Sequence, residues 1–389
     1  MKKFIAGKTR VLYGGVAFGK KERKAIDAIL DKNWWGLHEQ GKLFEKELSY
    51  VQGVKRAVLA NSGSSALDLG IRALQLPVGS EVIVPACTFP TPIASLINHG
   101  LKPVVVDIEL GSYFISPSSL EKSISKQTSA ILIVYVAGLV GELEEVLKIA
   151  KKYKLKVIED NCDGFGGTWR EKMLGSFGNL STISTHAAHI ISTGEGGAVL
   201  TDNIELADKV LSLRDWGRIL DFESRGKGMG DFPADHRRYI YSELGSNLKP
   251  LELQAAMGRV QLRRLQEFKK IRKRNASVLK KILSKYEGKI ILPSHNTNAD
   301  VCWYTFPITL KTIPRKKVLE ALDKANIEWR PILAGNIARQ PAYKDIVLVR
   351  DNLTNADQLI HNSFWISVHP MLSVEVMEYV AHTIEKAIR

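Results

Sequence analysis

The sequence predicts an α/β protein: a large, mainly parallel sheet covered by helices on both faces, followed by a smaller α/β domain. Two observations predict it. From about residue 20 onward, short apolar runs alternate with stretches of helical periodicity, the pattern of repeated βαβ units. Near residue 265 a long basic helix begins, and the alternation behind it changes.

Ala25, Ile26, Ile29 and Leu30 recur at helical spacing, as do Phe44, Leu48 and Val51. Strand-like runs follow at residues 57–60, 81–85, 103–108, 129–136, 156–160, 181–185 and 198–201. Helical stretches at 64–74 and 142–153 separate several of them. Strands are also expected at 301–310 and 327–332, with helices at 315–325 and 374–388. The division falls between an N-terminal arm with a large domain, residues 1–264, and a small domain, residues 265–389. Ligands in such sheets bind beyond the carboxyl ends of the strands, so the residues just after each run carry the interest.

A chain of 389 residues, 45% hydrophobic and 25% charged, has the composition of an ordinary globular protein. No stretch reaches the roughly 18 consecutive apolar residues a membrane span requires. The basic start of the chain lacks an apolar core behind it and is not expected to act as a secretory signal. Three widely spaced cysteines, Cys87, Cys162 and Cys302, argue for a reducing compartment, so a cytoplasmic location is expected. The net charge of +14 is compatible with an anionic small substrate. The densest basic run, Lys269, Lys270, Arg272, Lys273 and Arg274, lies within a helical pattern and is read as a solvated face, not a nucleic-acid patch.

Three segments could carry chemistry. Asn61, Ser62, Gly63, Ser64 and Ser65 lie between a strand and a helix, where free N–H groups attract phosphate, although the same residues also make ordinary helix caps. The strand ending in Glu159 and Asp160, with Asp163 beyond it, offers a carboxylate for a protonated ring nitrogen, a metal, or a simple turn cap. His186 and His189 precede Gly194, Glu195, Gly196 and Gly197; the pair could bind metal, but its spacing is three instead of the usual four.

Taken together, these segments resemble the DegT-type sugar aminotransferases, which have the fold of aspartate aminotransferase and use pyridoxal 5′-phosphate. The resemblance spans nearly the whole chain. It rests on Phe44 and Glu45, the 61–65 turn, VPACTFPT at 84–91, Glu159 and Asp160, the 194–197 glycine motif, Asn247, and Gln254 to Ala256. One departure bears on function. Family aminotransferases carry their cofactor lysine five residues before the first glycine of that motif; here the position is His189, and no lysine occurs between Lys172 and Lys209. That replacement resembles the branch of nucleotide-diphospho-4-keto-6-deoxyhexose 3-dehydratases. Further similarity to the branch lies in RDWGR at 214–218, Ala334 to Asn336, Arg339 to Pro341, Leu353 to Asn355, and Phe364 to Ile366.

The resemblance implies removal of the sugar's C3 hydroxyl with pyridoxamine 5′-phosphate as cofactor and His189 as base. It implies that Asp160 pairs with the pyridine nitrogen, Phe89 stacks on the ring, and Gly63, Ser64 and Ser184 hold the phosphate. Asn247 would reach in from the second subunit of a homodimer, and Asp163 would contact the ring hydroxyl. Arg218, Arg330 and Arg339 are candidates for the nucleotide-sugar phosphates, because guanidinium forks match them. One subgroup of the branch carries a [2Fe–2S] cluster on a cysteine like Cys162 and three more after the RDWGR segment. Residues 219–228 contain no cysteine, so no iron–sulfur cluster and no resident metal are expected. L-glutamate is then the expected amino donor. The alternatives are a non-catalytic binding protein of this fold, a variant sugar aminotransferase, and a metal-dependent hydrolase built on His186, His189 and Asp160.

Overall fold

The computed structural model describes residues 4–219, 232 and 239–389. Eight strands form the large sheet. In spatial order they are Arg56–Ala60, Gly197–Thr201, Leu180–Ser184, Lys156–Asp160, Thr128–Val134, Glu81–Pro85, Lys102–Val106 and Leu348–Val349. Gly197–Thr201 is antiparallel to both its neighbours, and the remaining pairs are parallel.

The sheet is buried on both faces, which is why its strands read as apolar runs without alternation. Val82, Val84, Val105, Leu132 and Ile158 pack into one core cluster, while Ile83, Val104, Val106, Ile131 and Val157 pack into another. Successive side chains point to opposite faces, so one strand feeds both clusters. Leu143, Val146, Ile149 and Ala150 are the buried stripe of helix Leu143–Lys152, with charged residues elsewhere on its surface.

A second sheet, wholly antiparallel, has the order Ile290–Ile291, Thr305–Leu310, Ser363–Ser367, Trp329–Arg330. Helix Val374–Ile388 packs on helix Leu265–Leu283 beside it. The expected strands at 301–310 and 327–332 are present but shorter, because Val301 to Tyr304 approach the cavity as irregular chain. The N-terminal arm lies along this region. Val11 bridges Ile327, and the N–H of Tyr13 donates to Glu328 Oε2 at 2.9 Å.

The reading of the basic run as wholly solvated needs correction. Lys270, Lys273 and Arg274 are exposed, but Lys269 and Arg272 are buried in helix Leu265–Leu283. Lys269 Nζ pairs with Asp300 at 2.8 Å. Arg272 lies on the same stripe as Phe268, Ala276 and Leu279, facing the core.

The C-terminal half contributes Leu348–Val349 to the edge of the large sheet, and an ion pair secures it. Arg350 clasps the buried Glu81 carboxylate with both terminal nitrogens, one at 2.7 Å, and donates to Ser123 O at 2.9 Å. Arg350 holds the Glu81 carboxyl below the usual carboxylate range. Replacing Arg350 with Ala strands a buried carboxylate, and a loss of about 2–3 kcal/mol is expected in urea unfolding at pH 7, discounted because the arginine is one-third exposed. A carboxylate with a depressed folded pKa stabilises above its unfolded value and loses that contribution as pH falls through the folded one. The gap between wild type and Arg350→Ala should therefore narrow on acidification.

Candidate active site

The carboxyl ends of the parallel strands face the small sheet across a cavity of about 820 Å³. Gly63, Ser64, Phe89, Asp160, Asp163, Ser184, His189 and Arg330, all singled out from the sequence, line it together. No lysine is among the described residues that line it.

One wall is the turn into helix Gly63–Ala73. Ser62 caps that helix by accepting the Ser65 N–H at 3.0 Å. Ser64 Oγ lies 2.9 Å from Thr91 Oγ1, which ties the turn to helix Pro90–Asn98. Gly63 is required here by close packing: a Cβ would stand 2.7 Å from Ser184 Cβ. Ser184 ends its strand, and its Oγ accepts the His186 N–H at 3.2 Å. Phe89, half-exposed, projects from the N-terminus of the neighbouring helix.

The floor carries two carboxylates. Asp160 ends strand Lys156–Asp160, and its Oδ1 accepts the backbone N–H of Cys162 at 3.1 Å. Burial raises its pKa, opposed by hydrogen bonds from Cys162. Asp163 Oδ2 accepts the Ala137 N–H at 3.1 Å. Burial pushes its pKa up to about 8, with the nearby Asp160 charge adding to the shift.

His189 sits on the loop that joins strands Leu180–Ser184 and Gly197–Thr201. That loop is cross-braced: Thr193 N–H donates to Thr185 O at 2.8 Å, and Thr185 N–H to Gly196 O at 2.9 Å. Gly194 takes φ +85° within it, a conformation that favours glycine. The His189 ring stacks on Tyr304, centroids 5.0 Å apart. Its Nδ1 is 3.6 Å from Asp163 Oδ1 and has no hydrogen-bond partner. Burial first, then the charges of His186 and Arg272, bring its pKa down to about 3. Arg272 supports the stack from below, donating to Tyr304 O at 2.8 Å, Trp303 O at 3.2 Å and His189 O at 3.4 Å.

The far wall belongs to the small sheet and the arm. Arg330 lies over the ring of Tyr13, 5.2 Å from its centroid, and Tyr13 stacks on Trp365 at 6.4 Å. Tyr13 and Tyr304 escaped notice in the sequence. Tyr304 directly precedes a strand whose end faces the cavity, a usable signal; Tyr13 offers none, because only the folded arm brings it there.

Three expected site residues do not line this cavity. The Arg339 fork is taken by Asp357, with Nε and Nη2 each at 2.9 Å from its oxygens. Arg218 lies against the rings of Trp216 and Tyr239. Asn247 bridges Asp215 on the segment beside the 61–65 turn, where Leu248 O accepts the Asn61 N–H at 2.8 Å. Residues 220–228, the larger part of the segment that lacks cysteine, lie outside the described residues. Among the described residues, no group of three or more His, Cys, Asp or Glu could hold a metal, and no helix is long and apolar enough to cross a membrane.

Comparison with known proteins places this arrangement. The chain is 38% identical to the lipopolysaccharide biosynthesis protein RfbH of Salmonella typhimurium, over 99% of this chain and 93% of that protein. It is 35% identical to a dTDP-4-dehydro-2,6-dideoxy-D-glucose 3-dehydratase of Saccharopolyspora spinosa, over 98% and 87%. A solved GDP-4-keto-6-deoxymannose 3-dehydratase with a trapped PLP-glutamate geminal diamine superposes with a TM-score of 0.89 at 28% identity, covering 96% of this chain and 100% of that one. A sequence model described as the DegT/DnrJ/EryC1/StrS aminotransferase family matches residues 17–385, and the chain belongs to that family.

Proposed function

We propose that this protein removes the C3 hydroxyl of a nucleotide-diphospho-4-keto-6-deoxyhexose with pyridoxamine 5′-phosphate as cofactor. The observation that carries the reading is the cavity floor: two buried carboxylates beside a largely enclosed imidazole, with no lysine among the described residues that line it.

The residues present fit the cofactor. The helix N-terminus at Gly63, with the hydroxyls of Ser64 and Ser184, forms a cradle for a phosphate that a Cβ at residue 63 would disrupt. Asp160 offers a carboxylate for a protonated ring nitrogen, and Phe89 an exposed ring face. Bound there, the cofactor supplies the amine that condenses with the sugar ketone and a ring that accepts electrons.

His189 enters the reaction uncharged, since burial disfavours its cation, and so has a lone pair available for the C4′ proton. Asp163, 3.6 Å away, would when ionised pair with the imidazolium that results. This assigns Asp163 to the base, beside or instead of a contact with the ring hydroxyl. Arg330, the candidate arginine on the cavity wall, is the one favoured for the substrate's phosphates. Asn247, on a segment that also carries the exposed Leu244 and Leu251, is suited to a homodimer contact that reaches the partner's cavity.

The chain's three cysteines cannot supply the four thiolates of an iron–sulfur cluster. The amine form is therefore restored by an amino donor, for which we propose L-glutamate. The superposed dehydratase was captured with a PLP-glutamate adduct, which supports that donor. We place the enzyme in the cytoplasm, where nucleotide sugars are made.

The direct test is mass spectrometry of a nucleotide-4-keto-6-deoxyhexose reaction with pyridoxamine phosphate and L-glutamate and no reductase. A 3-deoxy ketosugar with ammonia and 2-oxoglutarate is expected; unchanged sugar across a panel of nucleotides would refute the assignment. His189→Asn should lower dehydration by about 10²–10⁴-fold while the cofactor stays bound, read by absorbance after gel filtration. Gly63→Val should weaken cofactor binding by at least about tenfold, measured by fluorescence titration, because the phosphate turn must move off Ser184.

A further inference from the structure

Two histidines line the cavity, and the reaction proposed above uses one of them. Their rings are 6.2 Å apart, centre to centre, at 77°. Their surroundings are opposite. The His189 side chain is 16% exposed, stacked on Tyr304 and held beside an acid that burial keeps protonated. The His186 side chain is 50% exposed, and its Nε2 faces Glu195 Oε1 at 3.8 Å. Glu195 also lines the cavity. One ring is thus largely enclosed with no partner at Nδ1, while the other meets water and faces a carboxylate. Such a contrast separates a base from an acid within one site.

The main chain fixes where His186 stands. Its N–H donates to Ser184 Oγ at 3.2 Å, its carbonyl accepts the His189 N–H at 3.0 Å, and it bridges Gly194 across the loop. The ring's other nitrogen, Nδ1, accepts the Ala188 N–H at 3.4 Å, a long contact.

We propose that His186 is the general acid that protonates the departing C3 hydroxyl, while His189 is the base. This rests on the dehydratase reading. The carbon that gives up its proton and the C3 oxygen are separated by four bonds, roughly 4–5 Å. Two imidazoles spaced as these are can serve both ends without either ring moving. In the step, the C–H electron pair flows toward C3 and the C3–O bond breaks with its own pair. The oxygen takes the proton from His186 Nε2 and leaves as water. His189 holds the proton from carbon, and His186, left neutral, regains one from solvent at its exposed edge. No oxidant or reductant enters.

The test compares wild type with His186→Gln on the natural 3-hydroxy ketosugar and on its 3-fluoro analogue, whose leaving group needs far less proton assistance. The variant should lose about 10²-fold or more on the hydroxyl substrate and retain fluoride elimination within about fivefold. A binding measurement stands apart from turnover. Calorimetry on cofactor-free protein with unreactive nucleotide 6-deoxyhexoses should show wild type preferring the 3-hydroxy over the 3-deoxy sugar by about fivefold, and the variant without preference. Equal losses on both leaving groups, or no loss on the hydroxyl, would overturn the acid role while leaving the dehydratase reading intact. If wild type turns over neither sugar, the dehydratase reading falls, and this inference falls with it.

Discussion

Exclusion of water from the cavity floor is the constraint on which the rest of the site depends. Asp160, Asp163 and His189 are all desolvated, and each is driven toward its uncharged form. The same low-dielectric setting holds Arg272, 1% exposed, whose terminal nitrogens go to the carbonyls of Trp303, Tyr304 and His189. That guanidinium joins three pieces of chain: the long helix, the approach to the small sheet, and the loop carrying His189. Its charge also opposes protonation of His189. Arg272 therefore fixes the position of the loop and adds to the effect that burial has on His189.

Much of this was legible in the sequence, for identifiable reasons. Strands buried on both faces appear as uninterrupted apolar runs, and all seven expected in the large domain entered the sheet. Asp160 and Ser184 were legible because they end such strands, and Gly63 because it opens a helix directly after one. Leu348–Val349 was not, since two residues carry no period. Arg272 and Lys269 were misread because charge within an amphipathic helix ordinarily marks the solvent side; here Asp300 and a set of backbone carbonyls compensate them inside. Arg339 was attractive as a phosphate fork, yet its partner Asp357 lies on the following helix, a pairing that only the fold reveals.

The missing lysine changes what the pocket must accomplish. A lysine tethers its cofactor covalently, whereas an imidazole cannot, so retention falls wholly on non-covalent contacts. That gives a physical reason for the tight packing of the phosphate turn, where Gly63 lies against Ser184 and a Cβ on Gly197 would stand 2.6 Å from Gly63 N. On the function proposed above, it would also leave the cofactor dependent on an amine delivered from solution in each cycle. A cavity of about 820 Å³ with Phe89 and His186 half-exposed at its side is open enough to admit such a donor. The floor stays dry enough to keep His189 uncharged. On the function proposed above, a dry floor for proton abstraction and a wet rim for proton delivery are separate requirements, and the one loop that carries both His189 and His186 would serve them, the first ring turned to the floor and the second half-exposed.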